Sequence, residues 1–77
     1  MAESVIVVQR NGGGYVQGAR VTLEFSGLFS GGFTDTVYTD SDGEAVISHS
    51  NSGDAKVYVN GDPKGNMKAP GRKHIFI

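Results

Sequence analysis

Arg20-Val21-Thr22-Leu23-Glu24-Phe25-Ser26 alternates without interruption between polar and apolar side chains. Successive side chains of an extended chain point to opposite sides, so Val21, Leu23 and Phe25 share one face. Arg20, Thr22, Glu24 and Ser26 share the other. One buried and one wet face is what an antiparallel sheet covered on one side requires, and the spacing has no helical period. This segment points to an all-β fold.

The same period recurs on either side. Upstream, Ser4 to Arg10 carries Val5 and Val7 on one face and Ile6 and Val8 on the other. Such a strand needs cover on both faces, or an edge engaged by another chain. Asn11-Gly12-Gly13-Gly14 reads as a turn and Gln17-Gly18-Ala19 as a bend, after Tyr15 and Val16. Downstream, Gly27 to Gly32 is a glycine-rich connection that carries Leu28 and Phe29. Phe33 to Thr39 reads as a third strand, with Phe33, Asp35, Val37 and Thr39 on one side. Asp40-Ser41-Asp42-Gly43 is a turn that returns the chain into Glu44 to His49, where Ala45 and Ile47 oppose Val46. Asp54 to Asn60 places Ala55, Val57 and Val59 inward and Lys56, Tyr58 and Asn60 outward. Gly61 to Gly71, with both prolines, reads as a polar loop, and Lys73 to Ile77 as a short last strand.

Strands at spacings near ten residues, punctuated by glycine, predict a small antiparallel Greek-key β-sandwich of about six or seven strands. The 77 residues form one domain, residues 1–77. Glycine numbers 12 and proline two, with no three-residue glycine period, which excludes collagen. There is no cysteine, so neither disulfides nor a thiolate zinc site can staple the fold. A net charge of −1 removes the footprint of a nucleic-acid binder. No run approaches a membrane span, and the short Val5–Val8 cluster is no secretory signal, so a soluble chain is expected. With 38% hydrophobic residues the core is thin, so the chain must use its apolar residues efficiently or share a core with a partner.

Three motifs, taken in order, carry a resemblance. They are Val16-Gln17-Gly18-Ala19-Arg20-Val21-Thr22-Leu23, Tyr38-Thr39-Asp40-Ser41-Asp42-Gly43-Glu44-Ala45 and Ala55-Lys56-Val57-Tyr58-Val59-Asn60-Gly61. The chain resembles the carboxypeptidase-regulatory-like domains, which are prealbumin-like β-sandwiches related to the collagen-adhesin B-type repeats. The resemblance covers Val5 to Gly61 and implies a spacer, scaffold or interaction role without catalysis. The adhesin repeats can crosslink an early-strand lysine to a last-strand asparagine. Here the first lysine is Lys56 and Lys73–Ile77 holds no asparagine, so no such bond is expected.

Other chemistry lacks its partners in the sequence. Asp40, Asp42 and Glu44 begin like a calcium loop, but the twelfth position is Asn51 rather than a bidentate glutamate. His49 and His74 have no further metal ligands in view and read as surface histidines on strand ends. The glycine clusters open no helix and precede no suitably spaced lysine, so they read as turns rather than phosphate loops. No nucleophile elbow is present. Lys64, Lys68, Arg72 and Lys73 read as a solvated loop face, with contact to an acidic partner as the alternative. No cofactor and no metal site is expected.

The candidate interaction surface is Leu28, Phe29, Phe33 and Tyr58. Large apolar side chains on glycine-rich backbone either fold back over the core, the favoured reading, or meet a partner. The expected function is a non-catalytic structural or protein-interaction module. A weak homodimer through an outer strand edge or the Leu28–Phe33 loop is the expected assembly. The alternative is a carbohydrate-binding module using Tyr15, Tyr38 and Tyr58. The compartment and the biological partner are not legible in the residues.

Overall fold

The computed structural model describes residues 2–25 and 32–77. Among them nine strands form two sheets, and no residue is helical. They are β1 (Ala2–Arg10), β2 (Gly13–Tyr15), β3 (Arg20–Phe25), β4 (Gly32–Phe33), β5 (Val37–Tyr38), β6 (Glu44–His49), β7 (Gly53–Val59), β8 (Asp62–Ala69) and β9 (Arg72–Phe76). In the first sheet β1 is central, flanked by β6 and β9, with β2 pairing its C-terminal end. In the second, β4 and β5 share one edge of β3, followed by β7 and β8. The ladders are antiparallel, as an antiparallel β-sandwich requires, with one parallel pair, β1 with β9.

The core lies between the sheets and follows the alternation. Val21, Leu23 and Phe25 of β3, with Ala55, Val57 and Val59 of β7 beside them in the same sheet, cluster with Ile6 and Val8 of β1 and Ala45 and Ile47 of β6 in the other. Burying each larger side chain contributes about 1.5–3 kcal/mol. Ile75 of β9 and Met67 and Ala69 of β8 close one side.

The strand count exceeds the expected six or seven for identifiable reasons. Residues 61–71 are mostly strand, not a polar loop. Asn60 and Gly61 have positive φ values of 54° and 88°, the geometry of a two-residue hairpin turn. β8 therefore returns directly along β7, with Met67 and Ala69 inward. Pro63 and the exposed lysines lowered its strand signal, and both belong on the outer strand that β8 proves to be. A shift in register between Val57 and Tyr58 accommodates one extra residue there.

Phe33 to Thr39 is likewise not one strand. Thr34 Oγ1 accepts the Leu23 amide at 3.0 Å, and the Thr34 amide donates to the Leu23 carbonyl. This side-chain bond substitutes for the ladder and splits the segment into β4 and β5. The break also undoes the expected common face. Phe33 is exposed, whereas Val37 packs on the core and Thr39 is buried. Thr39 ties the Val16–Ala19 bend down: its hydroxyl donates to the Val16 carbonyl at 2.6 Å and accepts the Ala19 amide at 2.9 Å.

β1 proves to be an interior strand with cover on both faces. On its outer face, Arg72 from β9 and Glu44 from β6 meet across it at 2.8 Å. Together with Tyr15 and His74 they surround Val7, which is 2% exposed. The cover that its two apolar faces demanded comes from within the chain.

Candidate interaction faces

The two outer faces differ in chemistry. Directly opposed residues of antiparallel strands share a face. On the second sheet this aligns Phe33, Glu24, Lys56 and Asn66 in one row across four strands. Thr22, Tyr58 and Pro63 form the next row, and Tyr38 lies beside Arg20 beyond it. Phe33 and Tyr38 are 63% and 61% exposed. The Phe33 and Tyr58 rings meet at 5.5 Å with planes tilted by 58°. An open groove of about 810 Å³ runs beside them, lined by Glu24, Lys56, Asn66 and Lys68 among others.

Two expected site residues, Phe33 and Tyr58, are thus in contact on one face, and Tyr38 joins them. Leu28 and Phe29 lie outside the described residues, as does the fold-back of their loop. Tyr15 sits on the opposite face of the molecule, so the three tyrosines do not form one row.

The Tyr58 hydroxyl donates to Glu24 Oε1 at 2.9 Å. That hydrogen bond, with partial burial and the carboxylate charge acting in the same sense, raises the phenol above its ordinary pKa of 10.0. Glu24 is therefore engaged, and Asp54 is engaged by Lys68 at 3.4 Å. Arg20 and Lys56 have no ion-pair partner among the described residues.

The outer face of the first sheet carries a second aromatic group. His74 stacks on Phe76 with centroids 4.7 Å apart and faces Tyr15 at 6.4 Å. His74 Nε2 and Gln9 Oε1 are 2.7 Å apart. Tyr15 and Phe76 are each 55% exposed, and Val46 stands out from β6 nearby. The basic residues do not act as one patch: Lys68 pairs with Asp54 and Arg72 with Glu44.

His49 corrects the expectation of a surface histidine, for it is 5% exposed. Nδ1 donates to the Asn51 carbonyl at 2.7 Å, which leaves Nε2 to accept the Ser4 hydroxyl at 2.8 Å. Ser4 Oγ in turn accepts the Gly71 amide at 3.3 Å, and the imidazole lies against Phe25 at 5.1 Å. Parity was the available signal, because His49 continues the inward series Ala45 and Ile47. His74, by contrast, is exposed as expected.

Among the described residues no group of three or more His, Asp or Glu side chains is placed to hold a metal ion. Asp40 Oδ1 instead accepts the amides of Asp42 and Glu44 at 2.9 and 3.0 Å, the work of a turn residue. No protein-family model and no curated protein sequence matches the chain.

Proposed function

We propose that the chain is a non-catalytic interaction module of prealbumin-like build, working through protein contacts and pairing first with a second copy of itself. The order of the three resembling motifs supports the kinship, since they occupy the bend into β3, the turn into β6 and the hairpin strand β7. One observation carries the self-pairing: β9 is an outer strand paired with β1 alone, and its protecting charges, Arg72 and Lys73, stand only at its start. Gly71 and Ile77 bond towards β1, so the intervening odd positions do too. The N–H and C=O groups of Arg72, His74 and Phe76 therefore point outward. β8 has Pro63, a register shift and exposed lysines to discourage pairing; β9 has Arg72, held to Glu44, and Lys73 at its start, and beyond them presents His74 and Phe76. An antiparallel β9 pair about a two-fold axis would extend the first sheet into the second copy and bring the aromatic groups together.

Light scattering from micromolar to millimolar protein tests this. The expected mass rises from 8.1 kDa towards twice that value. His74→Pro removes an outward N–H while leaving the ladder to β1 intact, and is expected to hold the mass at the monomer. A monomeric wild-type protein at millimolar concentration overturns the assignment.

A further inference from the structure

We propose that pairing with a second copy through β9 is switched by protonation of His74, stronger where the imidazole is neutral and weaker where it is charged. The inference rests on the self-pairing proposed above and adds its regulator, the proton.

His74 is the middle residue of β9. The main-chain groups of Arg72, His74 and Phe76 point outward, and Pro70 before them has no N–H to extend the edge. A two-fold axis beside His74 is the one placement that pairs every residue of β9 in an antiparallel ladder. It sets Arg72 opposite the second copy's Phe76 and His74 opposite the second copy's His74. Residues that exchange both main-chain bonds stand about 5.5 Å apart at Cα, with their side chains on one face. His74 is exposed while Ile75 is buried, so both imidazoles lie on the outer face. Pairing therefore brings imidazole directly against imidazole.

Histidine is the side chain that gains charge as the pH falls from 8 to 5. β9 carries Arg72, Lys73 and His74 and no acid, so protonation adds two cations to a seam that already holds Arg72 and Lys73 of each copy. Like charges directly opposite one another destabilise a strand pair. Contacts within one copy are the same before and after pairing, so they do not set its pH dependence. Those of His74 are Gln9 Oε1 of β1, which accepts Nε2–H at 2.7 Å, the stacked Phe76, and Tyr15 of β2. The acids on this face are Glu44 and Asp42, which line the same groove as His74. Glu44 is held by Arg72 at 2.8 Å and stands two strands in from the seam, behind Val7. Asp42 belongs to the turn that opens β6, on that same far side. Strands lie about 4.8 Å apart, so three spacings separate Glu44 from the second copy's His74, more than the screening length of about 8 Å. Ile77, past the end of β9, turns its oxygen to the Asn11 amide rather than to the seam. No anion stands across the seam to offset the added charge, so protonation favours separate chains.

Light scattering on the full chain over a micromolar-to-millimolar series, at about pH 8 and about pH 5.5, tests the proposal. The dissociation constant of the pair is expected to be about three- to tenfold larger at the lower pH, and the difference to shrink as salt rises. His74→Gln is expected to give one constant at both pH values, and His74→Lys to pair weakly at both. Circular dichroism checks that each protein keeps its sheet at each pH, which separates dissociation from an acid effect on the buried His49. His74→Lys keeps the test open should His74→Gln fail to fold. An equal wild-type constant at both pH values overturns the proposal and leaves the self-pairing standing. So does a pH dependence that survives in His74→Gln, strong pairing of His74→Lys, or loss of the wild-type sheet at the lower pH. Absence of pairing at the higher pH overturns the self-pairing, and this proposal with it.

Discussion

Ser4 and His49 show how much a few polar atoms decide in a small core. The chain Gly71 N–H to Ser4 hydroxyl to His49 Nε2, with His49 Nδ1–H to the Asn51 carbonyl, links β1, β6 and the turn before β9. Ser4 and His49 are buried and both satisfied, so removing the Ser4 hydroxyl leaves His49 Nε2 without its partner inside the fold. Ser4→Ala is expected to lower unfolding free energy by about 1–3 kcal/mol, read as a lower urea midpoint at unchanged slope. Tyr58 offers a second test at this scale. Its neutral form is the one favoured by Glu24, so the folded pKa lies above the unfolded value. The stabilisation is therefore fully present below pH of about 10 and is lost as the pH rises through the folded value. Glu24→Ala is expected to bring the Tyr58 phenol back towards its ordinary range, followed by the ring signals in an alkaline NMR titration. A phenol whose titration does not move would mean that the hydrogen bond to Glu24 is not made in solution.

At the level of elements, β8 is the segment whose character the residues conceal. Asp62-Pro63-Lys64-Gly65-Asn66 has little strand propensity, and its pairing rests on the turn and on Met67 and Ala69 beneath. Gly65 is tolerated because a side chain there would press on Ile75, with Cδ1 3.2 Å from an added Cβ. Amide exchange is expected to show protected positions within Asp62–Ala69, at levels near those of β7; uniformly fast exchange would make the segment a loop after all. The turn is the lever. Gly61→Ala places a side chain at φ 88° and is expected to cost about 1–2 kcal/mol. Alternation and turn chemistry made β3, β6 and β7 legible from the residues. The division of Phe33–Thr39 was not, because it depends on one threonine meeting a backbone amide of another strand.

For the whole molecule, the parallel pairing of β1 with β9 joins the first strand to the last. Each residue of Val5–Gln9 is matched to one of Arg72–Phe76, so the core is complete only when both ends of the chain are in place. A domain of this size buries too little surface to spare a strand. Deleting Lys73–Ile77 removes Ile75 from the core and bares an edge of β1. The truncated protein is expected to lose its cooperative thermal transition; one that melts with an unchanged midpoint would show β9 to be dispensable.

Residue periodicity determined that the protein is all-β and which faces of β3, β6 and β7 form the core, because alternation is a local property of an extended chain. Glycine and aspartate chemistry placed the turns at Asn11–Gly12 and Asp40–Gly43 for the same local reason, while Gly13 and Gly14, read with the first turn, belong to β2. Tertiary structure decided what depends on partners distant in the chain. It made β1 an interior strand roofed by Arg72 and Glu44, and it buried His49 against Ser4. It also gathered Phe33, Tyr38 and Tyr58 on one face while sending Tyr15 to the other. Side-chain spacing states which way a residue points within its strand, but only the pairing of strands states what stands beside it.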